Sequence, residues 1–540
     1  MMVPSKRTIR LGLTLSGLLL LGACQHLPDG ISSLPFMHSS KSDATDIAGP
    51  LPPPADRTWP SDSHDVINQK AQGYGLVHMP AMQRYLDGLL TRIKDAAGVP
   101  EWPGHVYVLA AAGLEATASG AGNVYVSQAW LSSAESEDEI VALLSHEFAH
   151  VYLHYDKLND VLPASDTAAR VLAVGAALAI GSSNLQGWSP VDTGLLSYTA
   201  ARKLLSTAWS RSQESDADIL GANLALKLGY SYEAGFKTLL ERLATWEEQR
   251  AKQEKVAARQ LAESIKATAI ENYKQRHQAD GTGIATQKTN EAFANLTGFL
   301  QGGSHQVSKN LDDLWGSVTS SHPDLVGRLD RLSAAADELP KHMLKDEATQ
   351  ASWLKALKDR HTASILKNHA LAFQVLEHPD NPEALAWARQ SARGDTSTDA
   401  LPLFALYIAQ KAHGRMPADK ASTVLTRNFA STKDRAWITY AERSKALADA
   451  GHRQQAQQVL AQGFQLFQDA GSVWPYFIGS VGQNGDWPQA KNLAQECSTR
   501  FPHEKPACSQ AALTPSERAQ ADQQNEAKAK SLVDKLLPFQ

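Results

Sequence analysis

The sequence predicts an α+β, mostly helical chain in which a domain with a small sheet is followed by an all-α region of helical repeats. Three observations predict it. The run Ser136–Ser145 is amphipathic, and apolar residues recur with helical periodicity at Ile219, Leu220, Leu224, Leu226 and Leu228. From Lys341 to about Pro502 the chain is nearly all helix-forming. Within that stretch Ala450-Gly451-His-Arg-Gln-Gln-Ala456 returns as Asn484-Gly485-Asp-Trp-Pro-Gln-Ala490, so that the glycines and the alanines are each 34 residues apart.

At the amino end, Lys6, Arg7 and Arg10 precede an apolar run from Leu11 to Leu21, the pattern of a secretory signal and too short for an ordinary membrane span. Leu21-Gly22-Ala23-Cys24 then reads as a lipoprotein box, which makes 1–23 a signal peptide and Cys24 the lipid-bearing residue. Gln25 stands where an Asp commonly retains bacterial lipoproteins in the inner membrane, and by that resemblance the expected location is the periplasmic face of the outer membrane. Residues 24–62 are rich in Pro, Ser and Asp, including Pro50-Leu-Pro-Pro-Pro54, and read as a flexible tether. A net charge of −5 over 540 residues gives no drive toward nucleic acid or acidic lipid. The run Val171–Gly181 is too short to span a bilayer and reads as a buried or cleft-lining helix.

The chemistry is concentrated in two segments. Ser136-Glu-Asp-Glu-Ile-Val-Ala-Leu-Leu-Ser145 is amphipathic and free of glycine, so His146 and His150 of His-Glu-Phe-Ala-His fall at i and i+4 on one face of a helix and can grip one ion. Glu147 sits beside the ligands without joining them, which suits a general base acting on water. Catalytic zinc usually takes three protein ligands, and Glu214 of Glu-Ser-Asp-Ala-Asp is the candidate for the third. Asp218, one turn on, is placed to accept the other N–H of a ligating imidazole. One Zn2+ per chain is the expected cofactor.

These residues carry a resemblance to the gluzincin zinc metallopeptidases, the family of the CAAX prenyl endopeptidases and HtpX, nearest to the periplasmic BepA-type proteases with a C-terminal tetratricopeptide (TPR) region. Tyr74-Gly-Leu-Val77 and Tyr85-Leu-Asp-Gly-Leu-Leu90 resemble its leading helix, Val106-Tyr-Val-Leu109 and Gly122-Asn-Val-Tyr-Val126 its strands, and His150-Val-Tyr-Leu-His154 its extended zinc motif. Ser321-His322-Pro323 with Arg328-Leu329 resembles its His-Pro segment, which returns to the cleft. The resemblance covers roughly 65–335. It implies a zincin-type metallopeptidase domain over 63–340, with His154 supporting the ligands from outside the metal's own shell. His322 would lie near the open metal position, either as a gate that ligates it or as a residue that binds in the cleft. The strand Gly122, Asn123, Val124, Tyr125, Val126 would bind the substrate backbone by strand addition. Departures are two: Leu114-Glu-Ala-Thr-Ala-Ser-Gly120 stands where the family usually has Asn-Ala-Phe-Ala, and a large insertion occupies 246–320. Its Ala-, Gln-, Lys- and Glu-rich composition favours helices that bury little, so the expectation is a solvated helical hairpin, with a flap over the cleft as the alternative.

The 34-residue period is that of TPR helix pairs, and the expected repeat domain spans 341–515, with weaker units around Pro382–Ala392 and His413–Ala421 and a helical tail at 516–540. Cys497 and Cys508 lie close together in a chain expected to meet an oxidising compartment, and a disulfide between them is expected. The reading that follows is a lipid-anchored zinc endopeptidase acting on misfolded or unassembled envelope proteins, its repeat domain meeting envelope assembly machinery. The alternative is a chaperone or scaffold with weak or gated proteolysis.

Overall fold

The computed structural model describes residues 46–54, 57–153, 211–249, 325–345, 347–413, 416–518 and 520. Cys24, His154, His322, the Val171–Gly181 run and nearly all of the 246–320 insertion lie outside them. The described chain is mostly helical with one four-stranded sheet, in agreement with the α+β expectation.

A short helix α1 (Asp62–Lys70) leads into β1 (Leu76–Val77) and α2 (Pro80–Ala96). Proline at the first turn costs α2 no hydrogen bond, and Met82, Leu86, Leu89, Leu90 and Ile93 form its buried stripe. The strands β2 (Val106–Leu109), β3 (Ala116–Ala118) and β4 (Val124–Ser127) follow. The sheet order is β1-β2-β4-β3, with β2 and β4 parallel and the outer two strands antiparallel to their neighbours. All four residues of β4 are buried, as befits a strand paired on both sides.

After this sheet come α3 (Gln128–Ser133), α4 (residues 137–153, where the described stretch ends), α5 (Arg211–Lys227), α6 (residues 238–249) and α7 (Leu325–Asp337). Then come α8 (Ala351–Leu357), α9 (Arg360–Glu377), α10 (Ala384–Ser391) and α11 (Ala400–His413), followed by short helical turns to Phe429. The next four are α12 (Trp437–Asp449), α13 (Arg453–Phe467), α14 (Trp474–Gln483) and α15 (Trp487–Arg500), and α16 (Lys505–Ala511) comes last. Helices α13 and α15 start 34 residues apart, and the turns before them hold Gly451 and Gly485 at φ 85° and 100°, a conformation that favours glycine. Ala456 and Ala490 are buried where the paired helices meet. A disulfide joins Cys497 on α15 to Cys508 on α16.

Two packing results differ from the sequence reading. The tether does not extend to residue 62: Ile47 is 2 % exposed within the main core, Tyr152 Oη donates to Pro52 O at 2.9 Å, and Asn223 Nδ2 donates to Gly49 O at 3.0 Å. Arg57 lies over the Trp102 ring at 3.4 Å and donates to Val151 O and Tyr152 O near the end of the described part of α4. One buried apolar residue and a few donors suffice to dock a proline-rich segment that composition alone reads as free. Nor does the core break at residue 340. One cluster runs from Ile47 through Trp353 to Leu425, and a second gathers Trp437 to Ala512.

Candidate active site

Helix α4 is built to be buried and held at its start. Ser136 Oγ accepts from Glu139 N at 3.2 Å, and the Glu139 carboxylate accepts from Glu135 N at 3.1 Å, which satisfies amides that a first turn leaves open. Arg242 of α6 pairs with the same carboxylate. Glu137 accepts from Tyr230 Oη at 2.5 Å and from Tyr85 and Ser352. Burial pushes the Glu137 carboxyl up, but those three hydroxyls outweigh it and hold it below the usual carboxylate range.

With the helix fixed, the i and i+4 histidines meet α5. Helix α5 comes this close because residue 221 is glycine: a Cβ there would lie 3.0 Å from His146 N and 2.7 Å from the Phe236 ring. His146 Nε2 and His150 Nε2 are 3.2 Å apart, and they lie 3.5 and 3.4 Å from the two Glu214 oxygens. All three side chains are buried, and among the described residues they form the one group able to hold a metal ion. Ligands at about 2.0–2.1 Å from one tetrahedral centre stand about 3.3 Å apart, so this spacing fits a single zinc. The charges fit it too. Glu214 and Asp218 share the one buried guanidinium of Arg328, so a dication would offset the negative charge left among these buried carboxylates.

Asp218 Oδ1 lies 3.0 Å from His146 Nδ1, which leaves Nε2 as the ligating nitrogen. Burial lowers the His146 pKa against the opposing pull of Asp218, so the ring stays neutral and competent to ligate. Arg328 on α7 donates to both oxygens of Asp218 at 2.7 Å and approaches Glu214 Oε2 at 2.6 Å. Burial alone would raise the Asp218 pKa, but the Arg328 charge and hydrogen bonds hold it below the usual range. Sequence reasoning marked Arg328 only as part of a His-Pro-type segment and gave it no role. Its one readable signal is an arginine on an apolar helix face beside Leu325, Leu329 and Leu332.

The structure thus brings together His146, His150, Glu214, Glu147 and Asp218. It does not leave Gly122–Val126 an edge for strand addition, and that expectation is corrected. Strand β4 already pairs β2 and β3 along both edges, and Asn123 is fully buried with its amide on Asp62 and Asp65. Gly122 is needed for its φ of 83° and because a Cβ would lie 2.8 Å from Pro103 O. Among the described residues the edge strands are β1 and β3, and β3 lies within the segment that departs from the family pattern. Ala116 of β3 lines a narrow cleft together with Leu114, Trp130, Leu143, His146, Glu147, Leu239, Leu243 and Arg328.

Comparison with known proteins agrees with this geometry. Peptidase family M48 matches the chain over residues 80–336. The beta-barrel assembly-enhancing protease of Escherichia coli (strain K12) is 23% identical over 261 residues, 47% of this chain and 51% of that protein. The protein of the same name from Shigella flexneri matches to the same extent. The match spans about half the length of these relatives. Residues 80–336, the span that matches Peptidase family M48, hold the whole His146–His150–Glu214 cluster with Glu147, Asp218 and Arg328.

Proposed function

We propose that the chain is a zinc-dependent endopeptidase that hydrolyses peptide bonds in misfolded or unassembled envelope proteins. The observation that carries this reading is the buried His146–His150–Glu214 triangle, whose His146 lines, with Glu147, a cleft beside the strand β3, an edge strand among the described residues. Zinc held by those three residues supplies Lewis-acid polarisation of the scissile carbonyl and acidifies a water molecule. Glu147 takes the proton of the attacking water and delivers it to the leaving amine. Asp218 keeps His146 in the tautomer that ligates, and Arg328 holds Asp218 and Glu214 in register. The substrate backbone lies along β3 as an added strand, an arrangement that reads extension more than side chains and so favours unfolded segments.

The cellular setting rests on sequence. Cys24 bears the lipid, the site works at the periplasmic face of the outer membrane, and the TPR-like helix pairs dock clients or assembly machinery. The name shared by the two relatives supports a role in outer-membrane protein quality control. No helix among the described residues is long and apolar enough to cross a membrane. The test is cleavage of casein by the purified chain with a chelator, then with zinc restored. Loss and recovery of cleavage are expected, and chelator-insensitive cleavage would sink the metallopeptidase reading.

A further inference from the structure

Helix α1 has no buried residue of its own, yet both its faces are engaged. On one face Asp62 and Asp65 hold the turn that joins β3 to β4. Asp65 Oδ2 accepts from Ser119 Oγ at 2.6 Å, Asn123 Nδ2 at 2.7 Å and Tyr125 Oη at 2.7 Å, and Asp62 Oδ1 accepts from Asn123 Nδ2 at 2.8 Å. Three donors from one hairpin therefore converge on a single carboxylate oxygen, and charge-assisted bonds of this kind are the stronger ones. On the opposite face the helix is braced by the carboxyl-terminal helix pairs. His64 Nε2 lies 3.7 Å from Asp469 Oδ2, Lys70 Nζ donates to Lys433 O at 2.6 Å, and Ile67 and Ala71 pack against the cluster around Trp437 and Trp474.

What the hairpin presents gives these contacts their use. Strand β3 is three residues long and, among the described residues, pairs only with β4, in the register Ala116 to Val126, Thr117 to Tyr125 and Ala118 to Val124. So short an edge strand has little pairing energy to hold it in line, and a two-stranded element needs support from elsewhere. The Ser119–Asn123 turn closes through Ser119 N to Asn123 O and Gly122 N to Ser119 O, both at 2.9 Å, and Asp65 grips that turn from outside the sheet. Asn123 also accepts from His105 N, which ties the same turn to the approach of β2.

We propose that Asp65 is a positioning residue for the peptidase reaction: its three hydrogen bonds fix the β3–β4 hairpin, and with it the edge along which the substrate backbone lies. The proposal rests on the reading of the site given above. Asp65 touches neither substrate nor metal ligand, so its loss disturbs how well an extended chain is held and leaves the chemistry at Glu147 intact.

The experiment compares wild type with Asp65→Ala and Asp65→Asn, the latter keeping one acceptor oxygen, on a fluorogenic peptide of about ten residues. Asp65→Ala should raise KM at least about tenfold, as expected for removal of hydrogen bonds to a charged group. Its kcat should stay within about twofold and its zinc content should equal that of wild type, and Asp65→Asn should fall between the two. Hydrogen exchange of the amides at 117–119 should quicken in Asp65→Ala while β2 stays protected. An unchanged KM, or a fall in kcat alone, overturns the proposal, as does unaltered exchange at 117–119. If the wild type shows no chelator-reversible cleavage, the functional reading fails, and the exchange measurement still decides whether Asp65 fixes the hairpin.

Discussion

At the scale of single residues, the site is a set of buried charges that stand only in company. Asp218 orients His146 and is itself held by Arg328, which reaches Glu214 as well. Asp218→Asn should keep the fold but lower zinc affinity about 10- to 100-fold, the usual cost of losing the group behind a ligating imidazole, as read by competition with a chromophoric chelator. Unchanged affinity would separate Asp218 from the metal site. Arg328→Met leaves two buried carboxylates without their cation, so the metal-free protein should lose about 3–5 kcal/mol in denaturant unfolding. That His146 and His150 stand together was legible in the sequence because i, i+4 spacing on a helix is a local fact, whereas Glu214 joins them only through the packing of a second helix. The work of Arg328 was not legible, because 110 residues separate it from Asp218 and only the fold brings them together.

Among elements, close approach and strand order decide the site. Helix α5 reaches His146 through Gly221, so Gly221→Ala should push the two helices apart, cost about 1–3 kcal/mol and lower zinc content at equal protein. Full zinc occupancy at wild-type stability would contradict that account. The sequence marked β4 as a strand but could not reveal its neighbours, since pairing is set by partners far along the chain; hence strand addition was expected at a strand that is already paired on both sides. The helix-pair region carries a pH response of its own. Burial pushes Asp434 up to about 8 and Asp399 up to about 6, while burial pulls His369, 2.9 Å from Asp399, down to about 3. The folded state thus keeps a proton on Asp434 that an unfolded chain, with its value near 3.8, has released. Stability therefore falls as pH rises toward 8. The lowered His369 pKa acts in the opposite sense, but only below its unfolded value of 6.5. Between pH 6.5 and 8 Asp434 is left to set the slope, and the loss should be on the order of 2 kcal/mol. Asp434→Asn should flatten it in denaturant unfolding, and an unchanged slope would refute the assignment.

Across the whole molecule, the metallopeptidase domain and the first helices after it share one core. Trp353 donates its indole N–H to Ala134 O, and Tyr74 packs on Phe373 and Phe404. A fragment ending at residue 340 should therefore aggregate, whereas one ending near residue 430 should elute as a folded monomer in size-exclusion chromatography. A cooperative, monomeric fragment ending at 340 would show the shared core to be dispensable. The helix-pair period was legible because it repeats in the chain, and the shared core was not, because apolar periodicity shows that a face is buried and not what covers it. The central claim is that Glu147 acts on water beside a metal held by His146, His150 and Glu214. It is tested most directly by casein cleavage with wild type and Glu147→Gln at equal, measured zinc occupancy. The account predicts full zinc binding and at least about a hundredfold loss of hydrolysis in the variant. Near-normal cleavage by zinc-loaded Glu147→Gln would contradict it.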